Sequence, residues 1–179
     1  VKGLQAEGVN LSEIALLYRS NAQSRVLEHS LFNASLSYRV YGGMRFFERQ
    51  EIKHALAYLR LMVQPEDDIS LLRIINFPVR GIGARSLEQL QDDAKQLGMS
   101  LWATALQKCG SALEQTKAQK GVAGFIGLIK SMQQACRDLP LPEIIRYVIA
   151  KSGLLAHYAA DREGADRLDN LNELINAAV

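Results

Sequence analysis

Three stretches of this chain carry residue types suited to holding a polyanion. The first is Arg19-Ser20-Asn21, with Arg25 a few residues on. A guanidinium, an amide and free backbone N–H groups at a helix N-terminus suit a phosphate and the sugar or base beside it. The same residues also admit a plainer use, in which Arg19 pairs with Glu28 or Glu51 and Ser20 merely caps a helix. The second stretch, Gly42 to Arg49, joins a glycine pair to Arg45, Phe46 and Phe47. Adjacent aromatics can form a stacking platform for bases, or can anchor a helix entry in the core; the anchor is favoured.

The third stretch is Asn76-Phe77-Pro78-Val79-Arg80-Gly81-Ile82-Gly83-Ala84-Arg85-Ser86. Gly81 and Gly83 allow bare backbone to approach a phosphate, and Ile82 fills the gap between two helices. Arg80 and Arg85 supply counter-charge, and a helix starting near Ser86 points its positive end at the same place. Helix, Gly-Ile-Gly turn and capped helix form the pattern of a helix-hairpin-helix element. Such an element meets duplex backbone rather than base sequence, so its grip is salt-sensitive. A Gly-x-Gly between helices also serves simply as a turn.

The elements that must position these residues follow from periodicity. Ile14 to Tyr18 is a short apolar run that predicts a buried strand, and Ser37 to Tyr41 a second strand broken by Gly42-Gly43. Between them Ser20-Asn21-Ala22-Gln23 fits a capping box, followed by an apolar stripe through Val26, Leu27, Ser30, Leu31 and Ala34. From Glu48 the spacing of Ile52, Ala55, Leu56, Leu59 and Met62 predicts a helix. Pro65-Glu66-Asp67-Asp68 is the clearest punctuation, which divides the chain into residues 1–64 and 65–179. Beyond it every pattern is helical. Ser86-Leu87-Glu88-Gln89 reads as another capping box, Gly98 as a stop, Ser100 as a cap, and Pro142 as a first-turn residue of a helix that Gly153 ends. Trp102 and the stripe Leu168, Leu171, Leu174, Ile175 read as core. The expected fold class is mixed α/β but mostly α: a β-α-β-α segment, then an all-helical region.

At 179 residues and 48% hydrophobic content the chain can bury a core. A net charge of +2 is too small to indicate a partner by itself. Mean hydropathy is near zero and no long apolar run occurs, which argues against a membrane span or membrane partner. Cys109 and Cys136 lie far apart, and His29, His54 and His157 are scattered, so no metal site is expected. Reduced thiols suit a cytoplasmic protein. The first residues, Val-Lys-Gly-Leu, and the uncapped C-terminal helix suggest a piece of a longer protein.

The runs Tyr18 to Arg25, Gly42 to Lys53 and Pro78 to Gly83 together resemble the second motor domain of superfamily 1 DNA helicases of the UvrD/PcrA/Rep type. That resemblance implies part of a RecA-like domain in residues 1–64 and its inserted helical subdomain, incomplete at the C-terminus, in 65–179. It implies single-strand contact at Arg19 and Asn21, and duplex contact at Arg80, Gly81, Ile82, Gly83, Arg85 and Ser86. It further implies a three-prime to five-prime DNA helicase of DNA repair, working with single-stranded and duplex DNA and with repair proteins. The parent protein would use ATP and magnesium. No phosphate-binding loop of the form Gly-x-x-x-x-Gly-Lys-Ser/Thr occurs here, so the chain itself is expected to hold no cofactor and to contain no catalytic residue. One departure stands out: His54 replaces an acid usual in the family, an exchange expected to affect only a surface ion pair. Rival readings are a non-catalytic interaction module and part of a RecB-like helicase-nuclease.

Overall fold

The computed structural model describes residues 1–19, 23–40, 45–111, 117–162 and 164–178. Two compact units emerge, Val1–Arg49 and Gln50–Val179. In the first, helix α1 (Lys2–Ala6) and a short 3-10 turn (Leu11–Glu13) precede helix α2 (Ser24–Asn33), and a second 3-10 turn spans Phe46–Glu48. Ile14 has extended backbone, yet no strand forms among the described residues. This corrects the expected β-α-β-α segment. A β-rich composition favours extended backbone, but a strand exists only where a neighbour completes the hydrogen-bond ladder. Ile14 ends the 3-10 turn, donating its N–H to Leu11, and Leu17 of the supposed buried strand is 94% exposed. The Ser20-to-Gln23 capping box and the Gly42-Gly43 turn fall at least partly outside the described residues.

The second unit is all helical among its described residues. Helix α3 (Gln50–Val63) lies at its centre and contacts α4 (Asp68–Ile74), α7 (Lys117–Ala135), α8 (Leu141–Lys151), α9 (Leu154–Ala159) and α10 (Gly164–Asn176). Helices α5 (Ala84–Leu97) and α6 (Leu101–Ser111) pack on each other, and α6 also packs on α4 and α7. Centrality explains why α3 buries more than one stripe: Ile52, Ala55, Tyr58 and Leu61 have no solvent exposure. Trp102, Leu171, Leu174 and Ile175 are buried as their spacing predicts, with Leu168 at the margin.

Caps set the helix ends. Asp67 accepts the Ser70 N–H at 3.1 Å and starts α4. Ser100 Oγ accepts from Ala103 N, and Asp68 Oδ1 from Leu101 N, so two side chains open α6. Gly98 closes α5 in the left-handed conformation, with φ 63°. One start differs from expectation. Helix α5 begins at Ala84 with Gly83 as its N-cap, and Ser86 lies inside the first turn. The glycine's own extended backbone does the work that the capping-box motif assigned to Ser86.

His54 is also corrected. It is buried, not at a surface ion pair, with Nδ1 2.6 Å from Tyr158 Oη and its ring stacked 3.8 Å from Phe77. Burial pushes its pKa down from 6.5 to about 4, and the nearby cations Arg73, His157 and Arg167 act in the same direction. Across the same interior Glu51 accepts from Asn170 Nδ2 at 2.6 Å and faces Arg167 Nη1 at 3.7 Å.

The sign of the His54 effect is fixed by linkage. Its folded pKa lies below the unfolded value, so between these two pH values the unfolded chain binds the extra proton. Its contribution is therefore complete above about pH 6.5 and is lost as pH falls through about 4. Urea midpoints measured across that window should decline towards acid, and His54→Gln should flatten the decline.

Candidate functional site: a glycine hairpin on a helical body

Within the second unit, the segment from Asn76 to Arg85 forms a tight hairpin between α4 and α5. Gly81 has φ 75°, a conformation that side chains with a Cβ rarely adopt. Ile82 turns inward and is only 1% exposed, while Gly81, Gly83, Ala84 and Arg85 face solvent. The N–H groups of Gly81, Gly83, Ala84 and Arg85 make no hydrogen bond among the described residues. Ser86 N and Leu87 N already turn back to Gly83 O, at 3.0 and 3.2 Å. Open donors and the start of a helix dipole thus share one exposed corner, with Arg85 in the helix's first turn. Ser86 stands just behind it, partly covered. Gly83 has space around it: a Cβ there would meet nothing within 4 Å, and its φ of −76° suits any residue.

Arg80 is used differently from the reading of it as counter-charge. Its guanidinium points into the body. Nη1 donates to Ile74 O (3.1 Å) and Pro78 O (3.0 Å); Nη2 donates to Tyr58 Oη (2.6 Å) and Ser152 O (3.1 Å). Its charge also lies over the rings of Tyr58 and Phe125, at 5.8 and 5.4 Å. Tyr58 Oη in turn donates to Phe77 O at 2.6 Å. One cation therefore binds the hairpin to α3, α4, α7 and the end of α8.

Helix α7 approaches the hairpin with no side chain between. A Cβ on Gly121 would sit 2.8 Å from Arg80 O and 2.9 Å from Ile82 Cγ1. Sequence reasoning missed both this glycine and Asn76, whose Oδ1 accepts from Arg80 N (2.8 Å) and Ile82 N (3.2 Å). The signal for Asn76 was available: Asn side chains bond backbone N–H groups a few residues on. Nothing in a helical stripe singles out Gly121. Beside the hairpin, a cavity of about 300 Å³ opens between α5, α6 and α7, lined in part by Arg85, Ser86, Leu90 and Cys109. Lys108 and Asp93 pair at its edge.

In the first unit Arg19 is exposed, and its backbone N–H donates to Gln23 Oε1 at 3.0 Å. Glu28, a proposed partner in the same unit, instead accepts from Tyr38 Oη and Phe46 N, both at 3.3 Å. Asn21 lies outside the described residues. Phe46 is buried with Phe47 edge-on to it at 5.1 Å, and Phe47 is 57% exposed. Arg49 reaches Ser24 Oγ at 2.9 Å. Among the described residues no group of three His, Cys, Asp or Glu side chains could hold a metal ion, and no helix is long and apolar enough to cross a membrane.

The helical body carries a Gly-Ile-Gly hairpin between two of its helices, a pattern of the helix-hairpin-helix kind. More particularly, residues 1–178 match the UvrD-like helicase C-terminal domain, and the chain belongs to that family. It is 43% identical over 183 residues to DNA helicase II of Escherichia coli K12, covering 99% of this chain and 25% of that protein. It is 42% identical to DNA helicase II of Haemophilus influenzae, covering 95% of this chain and 24% of that protein. Against the ATP-dependent DNA helicase PcrA of Bacillus subtilis the identity is 39%, covering 93% of this chain and 23% of that protein. The chain thus spans about a quarter of the length of these relatives.

The inward guanidinium has a measurable consequence. Arg80→Ala strips partners from three carbonyls and a buried tyrosine hydroxyl, and should lower unfolding free energy by about 2–4 kcal/mol. Arg80→Lys should recover little, because a point ammonium cannot span the fork. Gly121→Ala should cost about 1–3 kcal/mol by overpacking against a carbonyl that cannot retreat. Denaturant midpoints check all three.

Proposed function

We propose that this chain is the DNA-engaging portion of an ATP-dependent DNA helicase of the UvrD kind. On this reading residues 1–64 belong to the motor region and residues 65–179 to a helical subdomain inserted in it. The parent protein moves three-prime to five-prime along single-stranded DNA in the cytoplasm, in DNA repair and in company with repair proteins. Arg19, with Asn21 beside it, meets the single strand. The hairpin meets the duplex through Gly81, Gly83 and the first turn of α5, with Arg85 as counter-charge and Ser86 behind. Ile82 and Arg80 hold that surface in place. The observation that carries the reading is the exposed set of unbonded N–H groups at Gly81, Gly83, Ala84 and Arg85, on a chain of this family.

ATP and magnesium belong to the parent protein's reaction. The residues present here do not fit them: the chain lacks the Gly-x-x-x-x-Gly-Lys-Ser/Thr loop, and its described residues offer no cluster of three metal-ligating side chains. Hydrolysis is therefore assigned to other parts of the parent. What this chain contributes is binding and positioning. A purified sample should show no ATPase activity with or without DNA.

Gly83 separates grip from fold. Gly83→Val places a side chain in open space, so melting should hardly change. In the full-length protein it should weaken binding to a forked duplex and spare plain single strands, with the loss shrinking as salt rises. Arg19→Ala should do the reverse, weakening single-strand binding and DNA-stimulated ATPase with normal melting. Fluorescence anisotropy on the two DNA forms reads both. Wild-type affinity of both variants for both DNA forms would overturn the assignment.

A further inference from the structure

We infer that Asn76 is a positioning residue for duplex DNA, acting through the hairpin and touching no nucleic acid itself. The inference rests on the reading of the hairpin as the duplex contact. Asn76 sits just beyond α4, partly covered, and its Oδ1 accepts two backbone N–H groups, from Arg80 at 2.8 Å and from Ile82 at 3.2 Å. Both lone pairs of one amide oxygen are thereby used. The two donors flank Gly81, the residue with φ 75°. Drawing the Arg80 and Ile82 N–H groups to a single acceptor holds the peptide units before Arg80 and after Gly81, which bracket the unit carrying the unbonded Gly81 N–H. The outward set of donors is thus preorganised by a side chain that faces the other way.

Two other contacts locate the hairpin without fixing its shape. The Arg80 guanidinium anchors one limb to the helical body, and Ile82 sits against Gly121 of α7. Gly121 limits movement of the Arg80 carbonyl on one side, but neither contact holds a backbone N–H of the hairpin, and glycine backbone rearranges readily. Asn76 supplies that hold. Without it the Arg80 and Ile82 N–H groups lose their acceptor, and Gly81 can turn its own N–H away from the surface. Affinity bought by preorganisation would then fall even though the charged groups remain.

The test uses the full-length protein and a labelled forked duplex, with plain single-stranded DNA as control. Asn76→Ala should lower forked-duplex affinity several-fold and leave single-strand affinity unchanged. Asn76→Asp keeps an acceptor for both N–H groups and should recover most of the lost affinity. In a Gly83→Val background, Asn76→Ala should bring little further loss, since both changes act on one surface. Amide hydrogen exchange should rise at Arg80 and Ile82 in the alanine variant and return in the aspartate variant. If Gly83→Val leaves duplex affinity intact, the hairpin is not the contact and the underlying reading fails. If Gly83→Val weakens binding but Asn76→Ala does not, the reading stands and Asn76 has no positioning role. Should Asn76→Ala unfold the protein, the aspartate variant decides: folded with weak duplex binding and slow exchange at Arg80 and Ile82, it overturns the inference.

Discussion

Much of the helical unit depends on where one positive charge is placed. The Arg80 guanidinium donates to a carbonyl at the end of α4, to one of its own loop, to a tyrosine on α3 and to the end of α8, and lies over an aromatic ring of α7. A planar fork with several fixed donors can satisfy such a ring of acceptors at once. Burying a cation is costly unless its donors are matched, and here carbonyls and a hydroxyl match them in place of a carboxylate. The hairpin therefore has little freedom to wander from the body that carries it.

A second polar set lies along the same face of α3, in the turns before Tyr58. Glu51, Asn170 and Arg167 connect α3 to α10, and the His54–Tyr158 pair connects α3 to α9. Phe77 stacks on His54 and has its carbonyl held by Tyr58. The central helix thus meets its neighbours through directional bonds as well as apolar area. Directional bonds specify one arrangement where Leu and Ile contacts alone admit several.

How much of this could be read from the sequence depended on the range of each interaction. Helix punctuation was legible because caps are local: Gly98, Ser100, Pro142 and Gly153 all stand where their chemistry predicts. The strands were misread because pairing is non-local, and Ile14 to Tyr18 advertises extended backbone without naming a partner. The hairpin's outline was legible, since Gly-Ile-Gly dictates a turn with an inward apolar residue. Arg80's direction was not. Its partners Tyr58 and Ser152 lie 22 and 72 residues away, and nothing adjacent to Arg80 distinguishes an anchor from a counter-charge. His54 misled for the same reason, because its hydroxyl partner is 104 residues distant.

Gly83 differs in kind from its neighbour Gly81. Its backbone angles suit any residue, and open space surrounds it. The fold therefore places no demand for glycine there. A variant at this position would still be made, folded and retained, because cellular quality control responds to stability rather than to DNA affinity. Any damage done there would leave protein abundance normal. Gly121 behaves oppositely: a substitution strains the body itself and would show first as a fall in the amount of protein. Two glycines serving one hairpin would thus fail in ways that a blot could tell apart.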